Sequence, residues 1–225
     1  MSLLDGLRGG LIVSVQAWRG SALDDPLVIA AMARAAQDGG AVAVRAAGVE
    51  HLRAVRERVA LPVIGLIKRE YSGFEPYITP TLVEVRAVIA TGADVVAFDA
   101  TPRPRPGDGE LADTIETIHA SGRLAMADCA TAADALVAAR LGADVIATTL
   151  AGYTEDTKGR PLPDLDLVRE LAAIAAFKVC EGGIRSPEQV RAALDAGADA
   201  VVVGTAITNV DWLVREFAGS ADRVS

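Results

Sequence analysis

Four times along the chain a helix-like stretch ends in a glycine turn and gives way to a short apolar run. The turns are Gly39-Gly40-Ala41, Gly92-Ala93-Asp94, Gly142-Ala143-Asp144 and Gly197-Ala198-Asp199; the runs they feed are residues 42–45, 95–99, 145–148 and 200–204. The turns recur at about 50 residues, room for two strand–helix units each. Four more β-rich runs fill the intervals, at residues 10–16, 62–68, 123–128 and 177–181. Eight short strands alternating with helical segments of about 10–15 residues predict an α/β fold, a single-domain (β/α)8 TIM barrel. A doubly wound open sheet is the competitor. Eight units fill the chain, however, and no Gly-x-Gly-x-x-Gly follows the first strand. Residues 1–225 therefore read as one barrel, with a short flexible tail from about 219 to 225.

Such a core has to be aliphatic: 51% of residues are hydrophobic but only 4% aromatic. Ala, Val, Ile and Leu suit a parallel sheet wrapped by Ala-rich helices. A net charge of −8 and the absence of a basic stripe with interleaved aromatics exclude a nucleic-acid partner. An anionic ligand must then be held by local donors. Cys129 and Cys180 sit in apolar runs without a C-x-x-C or a histidine pair, as small buried hydrophobes do in a reducing compartment. No signal segment opens the chain and no apolar run reaches the roughly 18 residues of a membrane span, so no membrane partner and a cytoplasmic location are expected.

The connections differ on the two sides of the strands. Helix-to-strand turns are tight, whereas the strand-to-helix segments 69–77, 101–110 and 151–163 are long and polar. They lead to helix-start signals at Thr79-Pro80, at Thr131 with Asp134, and at Ser186-Pro187-Glu188-Gln189. In a barrel the long side is the working face. Residues 103–109 read either as a surface loop or as a lid.

The residues that close the eight runs are Gln16, Arg45, Lys68, Asp99, Asp128, Thr148, Glu181 and Gly204. A solvated rim position accounts for any one of them, but not for an amide, two cations and three carboxylates together. Glu181-Gly182-Gly183 and Gly204-Thr205 end adjacent strands in glycine, which leaves backbone N–H groups free to hold a phosphate. Lys68 rides on a buried strand beside Arg69. Partial burial and a neighbouring cation both disfavour the ammonium form and release a neutral amine as a base; a Schiff base is the other use of such a lysine. A base and one or two carboxylates, Glu181 and Asp128, facing one sugar-sized cavity suit proton transfer next to a carbonyl. His51 and His119 lie in helical stretches away from strand ends and make no metal site. Trp18 is placed in the first loop, with Trp212 and Phe217 as core contacts of the last helix.

Several motifs, taken in order, carry a resemblance. They are Ile64-Gly65-Leu66-Ile67-Lys68-Arg69, Tyr77-Ile78-Thr79-Pro80-Thr81, Phe98-Asp99-Ala100-Thr101, Met126-Ala127-Asp128-Cys129, Thr148-Thr149-Leu150-Ala151-Gly152-Tyr153-Thr154, Glu181-Gly182-Gly183 and Val203-Gly204-Thr205-Ala206-Ile207-Thr208. Together they closely resemble the N-acylglucosamine-6-phosphate 2-epimerases, from about residue 10 to 217. These bacterial enzymes of sialic acid catabolism interconvert N-acetylmannosamine 6-phosphate and N-acetylglucosamine 6-phosphate.

The resemblance implies a metal-free, cofactor-free (β/α)8 isomerase of the ribulose-phosphate-binding-barrel type, often a homodimer, acting on a phosphorylated amino sugar. By position Lys68 matches the family's catalytic lysine and Glu181 its partner acid, while Asp128, Gln16 and Arg45 match sugar contacts. Gly183, Gly204 and Thr205 match the phosphate cradle, which Gly182 adjoins. Asp99, Thr148 and Tyr153 join the expected substrate-binding set. Two positions depart: Glu70 replaces an aspartate, and Asn209 stands where the family has a phosphate-gripping arginine, for which Arg185 is the substitute. Two rival readings are a Schiff-base aldolase using Lys68 covalently and a non-catalytic sugar-phosphate-binding barrel.

Overall fold

The structure, a computed structural model, describes residues 2–107 and 109–219. Eight parallel strands close in chain order into a barrel: β1 (Leu11–Val15), β2 (Ala43–Ala47), β3 (Val63–Leu66), β4 (Val95–Asp99), β5 (Leu124–Asp128), β6 (Val145–Ala147), β7 (Phe177–Glu181) and β8 (Ala200–Val203). The expected (β/α)8 architecture is the one observed. Residues 220–225, most of the expected tail, lie outside the described residues, and the last helix, Val210–Gly219, runs to the edge of that segment.

Strand alternation sorts the apolar residues into two cores. Ile12, Ala43, Ile64, Val95, Ala97, Met126, Val145, Ala147, Val179 and Val202 fill the barrel interior, joined by Leu7 from the short helix Leu3–Leu7. Residues of the other parity, such as Val13, Val44, Val96, Phe98, Ala127 and Ile146, pack outward against the helices. Both cysteines belong to this outer layer, fully buried, and burial pushes the Cys180 thiol up to about 11.

The repeated turns do what the sequence predicted. Gly40, Gly92, Gly142 and Gly197 all take positive φ after a helix. The aspartate that follows three of them has a further use. Asp94, Asp144 and Asp199 accept the backbone N–H of Val63, Ala125 and Lys178 at 2.9, 2.8 and 2.8 Å, so the turns before β4, β6 and β8 pin the starts of β3, β5 and β7. Helix starts at Thr131 and Ser186 are also as expected, with side chains accepting from Asp134 N and Gln189 N. The helix expected to open at Thr79-Pro80 begins instead at Leu82, capped by Thr81. Thr79 is a buried connector at φ 45°, a backbone conformation rare for a β-branched residue. Its hydroxyl donates to the Ala97 carbonyl at 2.7 Å and its N–H donates to Ile67 at 2.7 Å, tying the extension of β3 to β4.

Candidate active site

At the C-terminal face of the barrel lies a cavity of about 770 Å³, within the usual size for a small-molecule site. Its wall includes Ser14, Gln16, Arg45, Lys68, Thr149 and Glu181, all on the inward parity of their strands or just beyond them. Gly182, Gly183, Gly204, Thr205 and Arg185 form another part of the wall. Although the chain is acidic overall, Arg19, Arg45, Lys68 and Arg185 line this cavity against only Asp24 and Glu181. The local field therefore favours an anion where the whole-molecule field does not.

Arg45 is the hub. Its guanidinium grips Asp128 with two bonds, Nη1 to Oδ1 at 3.0 Å and Nη2 to Oδ2 at 2.7 Å, and Nη1 also donates to Glu181 Oε2 at 2.7 Å. Burial alone opposes its charge, but the carboxylates of Asp128 and Glu181 outweigh that and raise its pKa, so it is a fixed cation. The sequence places Arg45 at the tip of its strand. It lies instead two residues before the end of β2, inside the barrel and 1% exposed, because β2 continues through Ala46 and Ala47.

Lys68 follows β3 by two residues and is held by backbone pairing with Ile78. It keeps accessible surface because it lines the cavity, yet the protein around it is close enough for burial to lower its pKa. Arg45 adds to that lowering, and Glu181 and Asp128 oppose it. The expected cationic neighbour, Arg69, is not the cause. Its guanidinium turns out to solvent and pairs with the buried Glu84 at 2.9 Å. Among the described residues Lys68 Nζ has neither an ion-pair nor a hydrogen-bond partner, as a free amine base requires.

Glu181 ends β7, and burial raises its pKa against the opposing pull of Arg45. The turn that follows needs its glycines. Gly182 and Gly183 take φ of 112° and 71°, and a Cβ on Gly183 would lie 2.3 Å from Leu162 Cβ. Arg185, three residues beyond Gly182, stacks over the Trp212 ring at 5.3 Å and has no carboxylate partner among the described residues. Asn209 also lines the cavity, but its side-chain oxygen is occupied in accepting the Trp212 N–H at 2.9 Å, capping the last helix.

With this geometry in view, comparison with known proteins is decisive. A family model described as "NanE: Putative N-acetylmannosamine-6-phosphate epimerase" matches residues 29–223. The chain belongs to this family. A relative from Clostridium perfringens (strain SM101 / Type A), named "Putative N-acetylmannosamine-6-phosphate 2-epimerase", is 43% identical over 96% of this chain and 98% of its own. One of the same name from Caldanaerobacter subterraneus subsp. tengcongensis is 46% identical over 96% of this chain and 93% of its own. A solved structure of the N-acetylmannosamine-6-phosphate 2-epimerase from Clostridium perfringens superposes with a TM-score of 0.95 at 41% identity, covering 98% of this chain and 97% of that one. The thiamine phosphate pyrophosphorylase from Pyrococcus furiosus, at 18% identity and a TM-score of 0.64, shares the fold alone.

Within this member of the family the expected ring is only partly assembled. Gln16, Arg45, Lys68, Tyr153, Glu181, Gly182, Gly183, Arg185, Gly204 and Thr205 all reach the cavity wall, and Asp128 lies directly behind it on Arg45. Asp99 and Thr148 do not. Asp99 is fully buried and held by its own loop, accepting from Thr101 Oγ1 at 2.6 Å and Arg103 Nη2 at 2.7 Å. Residues 101–105 thus fold down onto β4; Asp108, in the segment read as loop or lid, lies outside the described residues.

Thr148 has the wrong parity for the interior. Its hydroxyl bridges the backbone of Glu181, accepting from the N–H at 3.0 Å and donating to the carbonyl at 2.9 Å. The next residue, Thr149, continues the inward series Val145, Ala147 and reaches the cavity. His51 is helical, as expected, but it also lines the cavity, with Nδ1 2.9 Å from the Ala47 carbonyl and Nε2 3.5 Å from Asp24. Trp18 lines the cavity as placed, whereas Phe217 is 77% exposed and contributes nothing to the core. No helix among the described residues is long and apolar enough to cross a membrane.

Proposed function

We propose that the chain interconverts N-acetylmannosamine 6-phosphate and N-acetylglucosamine 6-phosphate by removing and returning the proton at C2 of the open-chain sugar. The sugar ring opens to its aldehyde with Glu181 or Asp128 assisting. Lys68 then takes the C2 proton, made acidic by the adjacent carbonyl, and the charge spreads into an enolate. Arg45 and Gln16 are the donors nearest to hand for the oxyanion. Glu181, whose raised pKa favours the protonated form, returns a proton to the opposite face.

The phosphate sits among Gly182, Gly183, Gly204 and Thr205, with Arg185 as its cation, and fixes the reacting carbon from a distance. One observation carries this reading. An amine with no partner among the described residues, its pKa lowered by burial, shares a single cavity with a glycine-lined anion cradle. The names of the relatives supply the sugar; a place in sialic acid catabolism is what the family resemblance implies. No cofactor enters the scheme, and a cytoplasmic setting suits the two buried free thiols. The expected homodimer belongs to the same proposal, supported by the exposed Val214 and Phe217 on the last helix.

The test is incubation with N-acetylmannosamine 6-phosphate in heavy water, with C2 followed by proton NMR. Deuterium is expected at C2 as the epimer forms, with both lost in Lys68→Ala. Persistent exchange in that variant removes Lys68 from its role, and a lysine adduct trapped by borohydride shifts the chemistry to a Schiff base.

A further inference from the structure

Ser14 lines the cavity between β1 and β8, yet neither the strand-end pattern nor the family resemblance singles it out. It follows Ile12 on the inward parity of β1 and is 7% exposed. The register of the two strands, with Val13 beside Val203, brings Ser14 next to Gly204. A Cβ on Gly204 would lie 3.1 Å from Ser14 Cβ and 3.5 Å from Ser14 Oγ, so the hydroxyl abuts the glycine end of the cradle. Thr208 Oγ1 spans the two residues, 2.8 Å from the Ser14 carbonyl and 3.1 Å from that of Gly204.

The Ser14 hydroxyl is only half used. Gln16 Nε2 donates to its oxygen at 2.8 Å, while its own proton has no acceptor among the described residues. Gln16 Oε1 is buried and also lacks a partner. A buried O–H left unspent costs free energy that an alanine of nearly the same size would avoid, so this pair is unfinished without a ligand. What Ser14 lacks is an acceptor. The N–H groups of Gly183, Gly204 and Thr205 lack one too, since none of them reaches a carbonyl among the described residues.

We propose that Ser14 is a phosphate-contacting residue: Gln16 occupies a lone pair of the hydroxyl and leaves its proton to a phosphate oxygen seated at Gly204 and Thr205. The inference rests on the proposed function, which makes the anion the phosphate of a sugar phosphate. A neutral hydroxyl donating to an anionic oxygen makes a charge-assisted bond without adding a charge to the cavity. The Ser14–Gln16 bond also ties the anion end of the cavity to a residue on the sugar side, so the phosphate contact and the sugar contact share one rigid strand.

The experiment uses glucitol 6-phosphate, which carries the phosphate but has no carbonyl and cannot react. Its Kd is measured by titration calorimetry in the unmodified protein and in Ser14→Ala, and inorganic phosphate is then used to displace it from each. A direct contact predicts that Kd rises by about 10- to 100-fold, the scale of one hydrogen bond to a charged group. The displacement constant of inorganic phosphate rises by a similar factor.

An unchanged Kd overturns the inference. So does a raised Kd with an unchanged constant for inorganic phosphate, because Ser14 then acts through Gln16 on the sugar alone. If the alanine variant does not fold, Ser14→Cys decides: a thiol is a weak donor of nearly the same shape, so a raised Kd supports the contact and an unchanged one overturns it. Protein that binds glucitol 6-phosphate through Ser14 without epimerising keeps this contact and loses the proposed function. Protein that epimerises, with Kd indifferent to Ser14, keeps the function and loses the contact. If the unmodified protein binds no phosphorylated ligand, both fall.

Discussion

Replacing Arg45 with methionine removes the cation that bonds directly to Asp128 and Glu181, and the structure sets the cost. Asp128 is 0% exposed and loses a bidentate partner at 2.7 and 3.0 Å. Breaking a buried pair from one side costs about 3–5 kcal/mol, because the remaining charge is left uncompensated. Glu181 is 14% exposed and borders the cavity, so it recovers some hydration, which places the loss near the lower end, about 3 kcal/mol. For a domain of this length that is about 6–12 °C in Tm.

The loss also depends on pH, and its sign is fixed. Burial already holds the Glu181 pKa above its ordinary value, and Arg45 opposes that rise. Without Arg45 the folded-state pKa climbs further. Stability from a raised carboxyl is fully present below its unfolded pKa, about 4.3, and is lost as pH rises through the folded one. Arg45→Met is therefore penalised more at pH 8 than at pH 5. Equilibrium urea unfolding of the variant and the unmodified protein at both values measures this. Adding Asp128→Asn to Arg45→Met is expected to return half or more of the lost stability, since the stranded charge is the cost. A variant as stable as the parent, a penalty that grows on acidification, or a double variant that loses the sum of both changes would refute the reasoning.

Three other outcomes follow from the same site. The rate constant kcat/KM is expected to rise with pH through the pKa of Lys68, at a value below the ordinary lysine value of about 10.4, because burial and Arg45 lower it; a limb at or above the ordinary value eliminates the amine as base. Gly183→Ala puts a Cβ 2.3 Å from Leu162 Cβ at φ 71°, and a loss of about 1–3 kcal/mol with a raised KM is expected; unfolding and KM indistinguishable from the parent would show the turn to be tolerant. Arg185→Ala is expected to raise KM for the phosphorylated sugar by about 10- to 100-fold, the scale of a charge-assisted contact. An equal effect on the unphosphorylated sugar would place Arg185 elsewhere than on the phosphate.

Much of this is legible in the chain, and the misplacements have physical causes. Glycine turns and apolar runs declare a barrel because positive φ after a helix and β-branched strands are local demands, met at Gly40, Gly92, Gly142 and Gly197. Taking the last residue of each run as the functional one works only where the run ends on the inward parity, as at Asp128 and Glu181. Val145 and Ala147 point inward, so the period of two names Thr149 rather than Thr148, a signal that the sequence itself carries. The same alternation carries Arg45 inward from within β2 rather than from its tip. Asp99 is different. Its parity is right, but Arg103 folds back onto it from a loop, and no local pattern tells a loop arginine that neutralises a strand-end carboxylate from one that faces solvent. His51 lies in the first turn of the helix after β2, Val49–Arg58, which puts it at the same end of the barrel as the strand tips. Distance from a strand end along the chain is a poor guide to distance in a barrel.

The division of labour between the two central cations follows from their chemistry. A guanidinium keeps its proton, and its planar fork can hold Asp128 bidentately while touching Glu181, so Arg45 serves as a fixed counter-charge that lets two carboxyl groups share one site. An ammonium gives up its proton when burial and a neighbouring cation disfavour it, and Lys68 has both around it and no partner among the described residues to hold the charge in place. The guanidinium that keeps the carboxylates compatible with burial also adds to the lowering of the Lys68 pKa that burial begins, so one residue acts on the groups on either side of it. Exchanging the two cations keeps the summed charge of the cavity and destroys this arrangement. A lysine at position 45 cannot make the fork, and an arginine at position 68 cannot act as a base.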